Sequence, residues 1–260
     1  LILNFVTAFC EDENGRIWIG TYGGGIDLFN RNTGTFEHYQ HKKGQPSSLA
    51  SNAVRAIEKD AFGRLWIGTM EGLDVYEHET NSFHHISHGD SNKFSISGKD
   101  IMAVISNDNN IWVGTYGDGL NKIVLDDHGD IKHIEHFKAS LNGISHNYIR
   151  DIYIDINGIV WIGTLGGGLN KYDPVTGSFT SYTHDPEDPK SIGHNLINSI
   201  QEDKDGNLWI GTWGGLMFFD RSLQEFSRYT IEDGLADDMI SEIQIDKKGN
   251  VWVSTFNGLT

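Results

Sequence analysis

Histidines are the most conspicuous chemistry-bearing residues of this sequence, because imidazole rings bind metal ions and transfer protons. The run His84-His85-x-x-His88 places three of the 12 histidines within five residues, as a metal site could require. Further histidines occupy similar places elsewhere in the chain: His38, His41, His133, His136 and His184. We expect these rings to lie on separate outer strands that point away from one another. The sequence therefore predicts a solvated outer face and no metal site.

Other candidate groups also have simpler explanations. The glycine triplets 23–25 and 166–168 join strand to strand, whereas a phosphate-binding loop opens a helix. The carboxylate pairs Asp126-Asp127 and Asp237-Asp238 fall in turns or connections, where solvation explains them. Cys10 is expected to be a buried small hydrophobe. No Gly-x-Ser-x-Gly elbow occurs, and we expect neither catalysis nor a cofactor.

Charge and composition exclude several classes of function. The net charge of −16 argues against binding nucleic acid or anionic membranes, since both require a basic surface. No apolar run approaches the roughly 18 residues that span a bilayer, and no signal peptide is visible at the start. A single cysteine excludes an internal disulfide.

The elements that position these residues come from a repeat centred on tryptophan. Six segments read Trp-Ile/Val-Gly/Ser-Thr, and their tryptophans are 43 to 49 residues apart: Trp18, Trp66, Trp112, Trp161, Trp209 and Trp252. Each repeat contains four strand signals separated by turns, and no stretch has a convincing helical period. A strand-only repeat of this length predicts an all-β fold, a β-propeller of four-stranded antiparallel blades. The tryptophans are expected to pack between neighbouring blades.

The spacing divides the chain into blades within one propeller domain, residues 1–260. The predicted blades are residues 1–50, 51–96, 97–145, 146–193, 194–236 and a partial sixth at 237–260. An Asp-x-x-Gly turn joins the first two strands of five repeats, because Asp caps the turn and Gly accepts positive φ. In the third repeat Ser106 and Asn109 replace Asp and Gly, and Asn109 is expected to take the positive φ.

The unit of Trp-Ile-Gly-Thr, Gly-Gly-Gly-Leu, Tyr-Asp-Pro, Thr-Gly-x-Phe and Asp-Pro-x-x-Pro-x-Ser-Ile resembles the two-component regulator propeller repeat. Residues 161–191 are the clearest copy. The resemblance implies the periplasmic sensor region of a hybrid histidine kinase that recognises glycans. It also implies seven blades, so five complete blades and part of a sixth predict a fragment of a seven-bladed ring.

One set of positions varies while its neighbours repeat. The residue after each Trp-x-x-Thr opens the hairpin between the second and third strands, and four of the six are aromatic: Tyr22, Met70, Tyr116, Leu165, Trp213 and Phe256. Aromatic rings suit the apolar faces of sugars. The connections nearby supply cations for a carboxylate or sulfate: His41, Lys42, Lys43, Lys93, Lys190 and His194. These six positions are therefore the candidate ligand-binding residues, and the alternative is that they plug the hairpin layer.

The favoured interpretation is a non-catalytic sensor that binds an oligosaccharide and signals through a neighbouring propeller or a dimer partner. A propeller lyase or glycosidase remains an alternative. Its catalytic groups would come from the polar residues of the first strands: Asn52, Arg55, Lys99, Asp100, Asn147, Arg150, Asp151, Asn195 and Asn198. A passive protein-interaction scaffold is the third possibility, since a propeller by itself fixes no function.

Overall fold

A computed structural model describes residues 1–89 and 93–260, which form two compact units, Leu1–Phe137 and Lys138–Thr260. Within each sheet, every strand pairs antiparallel with the next strand along the chain, and each such sheet is one blade. The described residues contain one helix, a 3-10 turn at Ile231–Asp233. Within these ranges no helix has the length and hydropathy needed to cross a bilayer.

The first unit contains three four-stranded blades. Blade 1 consists of β1 (Val6–Glu11), β2 (Ile17–Thr21), β3 (Gly25–Asn30) and β4 (Thr35–Tyr39); blade 2 of β5 (Val54–Lys59), β6 (Leu65–Thr69), β7 (Leu73–Glu77) and β8 (Ser82–Ile86); blade 3 of β9 (Ile101–Asn107), β10 (Asn110–Thr115), β11 (Leu120–Leu125) and β12 (Ile131–Phe137).

The second unit contains two four-stranded blades and one of three strands. Blade 4 consists of β13 (Ile149–Ile154), β14 (Val160–Thr164), β15 (Leu169–Asp173) and β16 (Ser178–Tyr182); blade 5 of β17 (Ile197–Glu202), β18 (Leu208–Thr212), β19 (Gly215–Asp220) and β20 (Glu225–Tyr229); blade 6 of β21 (Ile240–Ile245), β22 (Val251–Thr255) and β23 (Gly258–Leu259).

The blade count predicted from the sequence was wrong. The described residues form six blades, not five and part of a sixth of a seven-bladed ring, and the sixth is a three-stranded sheet. Its third strand forms although it is short, because the Thr255 hydroxyl donates to the Gly258 carbonyl at 2.9 Å and fixes the hairpin. Val253 and Thr260 then exchange two backbone hydrogen bonds.

The hydrophobic cores lie between successive blades of a unit. Trp18 is fully buried between blades 1 and 2, stacked on Tyr39 at 5.3 Å and in contact with Tyr76 at 4.6 Å between ring centroids. Trp161 is buried in the same way beside Tyr182 and Phe219. Burial of one such ring contributes roughly 4–6 kcal/mol before entropy is counted. Trp66 and Trp112 are also buried, Trp209 is half-buried and Trp252 is 47% exposed.

The turn between the first two strands is held by its aspartate. In blade 2 Asp60 accepts the backbone N–H groups of Phe62 and Arg64 on one oxygen, and the Trp66 indole N–H at 2.8 Å on the other. Asp12, Asp155 and Asp246 bind their tryptophans in the same way. The turn therefore also orients the ring that fills the core.

Blade 3 departs from this pattern and corrects one expectation. Asp108, not Asn109, has the positive φ, 51°. Asn107 pairs directly with Asn110, so β9 and β10 are joined by a two-residue hairpin. A hairpin of this length requires positive φ at its first central residue, and Asp tolerates it.

A glycine sets the distance between blades. A Cβ added to Gly68 in β6 would lie 2.7 Å from Ile101 Cγ2 in the first strand of blade 3. Gly20, Gly163 and Gly211 meet Val54, Ile197 and Ile240 at the same distance. None of these glycines has positive φ, so packing and not backbone conformation requires them.

A buried polar clamp joins the third strand, the outer strand and the connection that precedes the blade. In blade 2 Asp74 accepts the Ala50 backbone N–H at 2.8 Å and the His85 Nδ1–H at 2.6 Å. Asp27 with His38, Asn121 with His136 and Asn170 with Ser181 form the equivalent clamps. Three of the outer histidines predicted to be merely solvated, His38, His85 and His136, therefore hold their blades together.

Replacing Gly68 by alanine should destabilise the first unit by about 1–3 kcal/mol, because the new methyl group overlaps Ile101. Urea unfolding would measure this. In an Ile101→Ala background, where Cγ2 is gone, the same replacement should cost clearly less. Equal costs in the two backgrounds would show that the glycine is not required by this contact.

The clamp of blade 2 should make stability depend on pH. The hydrogen bond to Asp74 raises the pKa of His85 above its usual value. The protonated His85 therefore stabilises the folded state fully below its unfolded pKa, about 6.5, and this contribution is lost as pH rises through the raised pKa. Asp74→Asn, which reproduces the amide of blade 3, should be less stable than the parent at pH 6. The difference should shrink by pH 8.5.

Unfolding free energies of both proteins between pH 5.5 and 8.5 would check this. The converse exchange, Asn121→Asp beside His136, should introduce a new pH-dependent contribution of the same sign. A difference between parent and Asp74→Asn that is constant across the range would contradict the assignment.

Candidate functional site

The hairpin between the second and third strands has the same internal bonds in every blade. The Thr21 hydroxyl donates to the Gly25 carbonyl at 2.9 Å and accepts the Gly24 N–H. The same donation from a threonine hydroxyl to a glycine carbonyl occurs in the other five blades, at Thr69, Thr115, Thr164, Thr212 and Thr255. The connection reinforces two hairpins, since the carbonyl of Asn52 accepts two N–H groups of the blade 1 hairpin and Asn195 does so for blade 4. The hairpin backbone is therefore rigid.

The six predicted ligand residues open these hairpins, and we call them the mouth residues. In each, the backbone N–H donates to a carbonyl just before or at the start of the first strand of the same blade, such as Tyr22 to Phe5 and Trp213 to Leu196. Their side chains take no part in this backbone bond. Tyr22, Tyr116, Trp213 and Phe256 are 46%, 48%, 44% and 69% exposed, whereas Met70 and Leu165 are half-buried.

Next to the mouth residues, every first strand contains a β-bulge. The register of each pairing between the first and second strands shifts at the second residue of the first strand. The bulge residues are Thr7, Arg55, Met102, Arg150, Asn198 and Ser241. A bulge re-aims the side chain that it carries and is common beside functional sites. Thr7 and Asn198 use this direction to bind the first-strand carbonyls of the next blade, Val54 and Ile240.

Arg55 is the bulge residue that builds a site in the first unit. Its guanidinium lies 6.0 Å from the centre of the Tyr22 ring, 3.4 Å from Asp100 Oδ1, and against the sulfur of Met102. Its Nε is buried without a hydrogen-bond partner among the described residues. Burial raises the pKa of Asp100, Arg55 opposes that rise, and Glu71 adds to it. An aromatic ring thus stands beside a cation with an unused donor.

The inner carboxylates are the strongest candidates for acid–base chemistry. Burial raises the pKa of Glu58 to about 7, and burial together with Glu242 raises that of Asp151 to about 7. Each already accepts a backbone N–H from the next blade, Glu58 from Ser106 at 3.0 Å and Asp151 from Ile200 at 2.7 Å. Glu242 accepts the Ser199 hydroxyl at 2.8 Å. These groups therefore link blades.

A cavity of about 490 Å³ lies at the edge of blade 2 in the first unit. It is lined by His41, Ala50, Glu71, Gly72 and the outer-strand segment 85–88. His41 donates Nδ1–H to the Leu49 carbonyl at 2.7 Å, because a carbonyl can only accept. In the part of the chain that the structure describes, no three His, Cys, Asp or Glu side chains are placed to hold a metal ion.

The remaining sequence candidates have local roles. Cys10 packs against the core of blades 1 and 2, and burial raises the pKa of its thiol to about 11. Asp126 accepts the backbone N–H groups of His128 and Asp130 in a turn, and Asp237 that of Met239.

Sequence reasoning located the mouth residues but did not identify the bulges or Arg55 as a partner of Tyr22. One signal was available, since the second residue of the first strand varies while the residue before it is always Val or Ile. Glu58 and Glu242 were also missed, because nothing in a single strand shows what the next blade places against it.

The model of the two-component regulator propeller repeat matches residues 1–23, 48–71, 143–166, 191–214 and 234–257. Each matched segment ends at or just after a mouth residue, so it contains a connection or first strand, the tryptophan strand and the hairpin start. The segment of blade 3, where the hairpin between the first two strands is shortened, is not among them.

Similarity to a curated protein is local. The chain is 37% identical over 68 residues to histidine kinase P4 of Formosa agariphila, and this covers 26% of the chain and 5% of the kinase. The chain thus matches a small part of that protein.

Solved structures resemble the whole chain. The extracellular domain of the putative hybrid two component system BT3049 from B. thetaiotaomicron superposes with a TM-score of 0.80 at 27% identity, covering 100% of this chain and 33% of that one. The extracellular domain of BT4673 from the same organism gives 0.75 at 24%, covering 98% and 34%. Virginiamycin B lyase of Staphylococcus aureus gives 0.69 at 12% identity over 97% of this chain and 78% of the lyase, which shows the fold alone. With five matched repeats on the strands and hairpins described above, the chain belongs to the two-component regulator propeller family.

Proposed function

We propose that this chain is a non-catalytic, extracytoplasmic ligand-recognition region of a hybrid two-component signalling protein, and that its ligand is an oligosaccharide. The observation that carries the proposal is the contrast at the hairpins. The backbone of each mouth residue is fixed by the same bond, while the side chains differ and four are exposed aromatics. A rigid frame that presents variable rings is suited to recognition.

The comparisons support the signalling part of the proposal. The solved relative at 27% identity is described as an extracellular domain of a putative hybrid two component system. This chain corresponds to a third of that domain, so kinase activity, periplasmic location and a neighbouring propeller or dimer partner belong to the proposal for the whole protein.

The sugar part of the proposal rests on the chemistry of the mouth residues. Tyr22 and Trp213 each offer a flat apolar face to a pyranose ring, and the Arg55 guanidinium lies 6.0 Å from the centre of the Tyr22 ring. Signalling requires that ligand-bound and ligand-free states differ in affinity, since binding shifts an equilibrium only by that difference.

No observation favours the enzyme alternative to the same degree. A lyase would need an acid–base pair open to substrate, whereas Glu58 and Asp151 bind backbone groups of neighbouring blades. Similarity to the virginiamycin lyase is confined to the fold.

A thermal-shift screen against neutral and acidic oligosaccharides should give at least one hit. A ligand at about 100 times its dissociation constant should add roughly 2.7 kcal/mol to the free energy of unfolding. For that ligand, Tyr22→Ala or Trp213→Ala should weaken binding about tenfold, or ~1.4 kcal/mol, because a stacked ring is lost. Phe62→Ala, which removes a 38% exposed ring from the turn at the opposite end of the strands, should have no effect on affinity.

Overnight incubation with the hit, followed by product analysis, separates sensing from catalysis. Unchanged ligand supports the sensor, and cleaved ligand would mean that the enzyme alternative was right. A screen without any hit would favour a protein-interaction scaffold over the proposed sensor.

A further inference from the structure

Blade 5 breaks the polar clamp that the first four blades share. In those blades the third strand carries an Asp or Asn that binds a His or Ser on the outer strand: Asp27, Asp74, Asn121 and Asn170. In blade 5 the two paired positions are Met217 and Arg228. Met217 thus takes the position that Asp74 has in blade 2. Because a thioether carries no charge, it cannot neutralise the Arg228 guanidinium as a carboxylate could.

Arg228 instead turns toward the hairpin that carries Trp213. Its Nε donates to the Gly214 carbonyl at 2.5 Å, and the side chain is exposed. Among the described residues no carboxylate forms an ion pair with Arg228: the twelve ion pairs found there involve other cations. Arg228 is therefore an exposed cation held on the hairpin that Trp213 opens.

The connection that precedes blade 5 carries two histidines, His184 and His194. His194 packs on Gly214, with ring atoms 3.3 to 3.5 Å from where a Cβ would be, and its Nδ1 accepts the Leu196 N–H at 3.0 Å. Its Nε2 must then carry the proton. His184 donates Nδ1–H to the Ile192 carbonyl at 3.0 Å. Both rings thus have their Nδ1 engaged in a hydrogen bond.

His184 and Arg228 lie close enough to His194 to act on it electrostatically, although the protein carries a net charge of −16. Burial lowers the pKa of His194, and the charges that lower it further belong to His184 and Arg228. The connection and the outer strand also carry carboxylates, at Asp185, Glu187, Asp188 and Glu225. Glu225 is paired with Lys190 at 2.5 Å, and Asp185 and Asp188 accept backbone N–H groups of their own connection.

We propose that Arg228, His184 and His194 form an oxyanion-binding site beside Trp213, which takes the carboxylate or sulfate of an acidic sugar. Arg228 and the Nε2–H of His194 would donate to the anion, and the Trp213 ring would cover the sugar. The proposal rests on the proposed function for its choice of a sugar, but the anion site itself depends only on the cations.

Binding of an anion should be visible at the histidines. We would titrate the chain with sodium sulfate, with glucuronate and with glucose at constant ionic strength, following the imidazole resonances by NMR. Sulfate and glucuronate should shift the His194 and His184 signals and raise the midpoint of the His194 titration, because a negative charge favours the imidazolium. Glucose should not raise that midpoint.

Arg228→Gln should weaken glucuronate and sulfate binding at least tenfold, and Lys132→Gln, which removes an exposed cation in the first unit, should leave both unchanged. The double variant Met217→Asp/Arg228→His, which installs the clamp of blade 2, should abolish anion binding while keeping the blade folded. Sulfate binding that is equal in the parent and Arg228→Gln, or histidine signals that do not respond to sulfate, would overturn the site.

Failure of the anion site and failure of the proposed function give different results. Loss of sulfate and glucuronate binding in Arg228→Gln, with neutral oligosaccharide hits also present, supports both. Neutral hits without any sulfate response would overturn the anion site alone. A sulfate response with no oligosaccharide hit would retain the anion site and reject the sugar sensor.

Discussion

The structure depends on a missing Cβ atom, that of a glycine in the second strand of blades 1, 2, 4 and 5. Gly20, Gly68, Gly163 and Gly211 each leave 2.7 Å between a hypothetical Cβ and a branched side chain of the next first strand. This contact lets the first strands of successive blades approach, and the tryptophan two residues earlier in the same strand closes the core beside them. Side chains of proteins rarely tolerate such an overlap, so the glycine fixes how far apart neighbouring blades can lie.

Because the glycine sets the spacing between blades, the residue type that opens the following hairpin can differ from blade to blade. Thr21 and its equivalents hold the hairpin from inside, and a backbone bond attaches each mouth residue to its own first strand. Neither bond involves the mouth side chain. These bonds fix the hairpin whatever the mouth side chain is, and one repeat can present Tyr22, Met70 or Trp213 without a change of fold.

The sequence was informative wherever a feature is local and repeated. The Trp-x-Gly-Thr strands, the Asp-x-x-Gly turns and the hairpin positions could be read from spacing, because each is defined by bonds within about six residues. Blade 3 was misassigned by one residue, since aligning Asn109 with a glycine assumed a four-residue turn where a two-residue hairpin forms. The blade count failed for another reason: the expected seven-bladed ring came from the family resemblance and not from the repeats, which form six sheets.

The polar contacts that join strands and blades could not be predicted. The bulge at Arg55 depends on the pairing of β5 with β6, and its contacts with Tyr22 and Asp100 depend on the neighbouring blades. The buried role of Asp74 was hidden for the same reason, because its partners are 11 and 24 residues away on other elements. In a repeat protein such positions become visible only when equivalent residues are compared between blades.

That comparison also shows where the chemistry of a blade can differ without loss of stability. In blade 2 the pair Asp74–His85 buries a carboxylate that can hold a protonated imidazole. In blade 5 the paired positions are Met217 and Arg228, where the apolar member is buried in the core and the charge lies at the surface. The folding requirement, a filled position in the third strand, is satisfied in both cases. The difference is electrostatic: one blade neutralises its cation internally, and the other leaves an exposed guanidinium on the hairpin that Trp213 opens, where we propose that an anion supplies the missing charge.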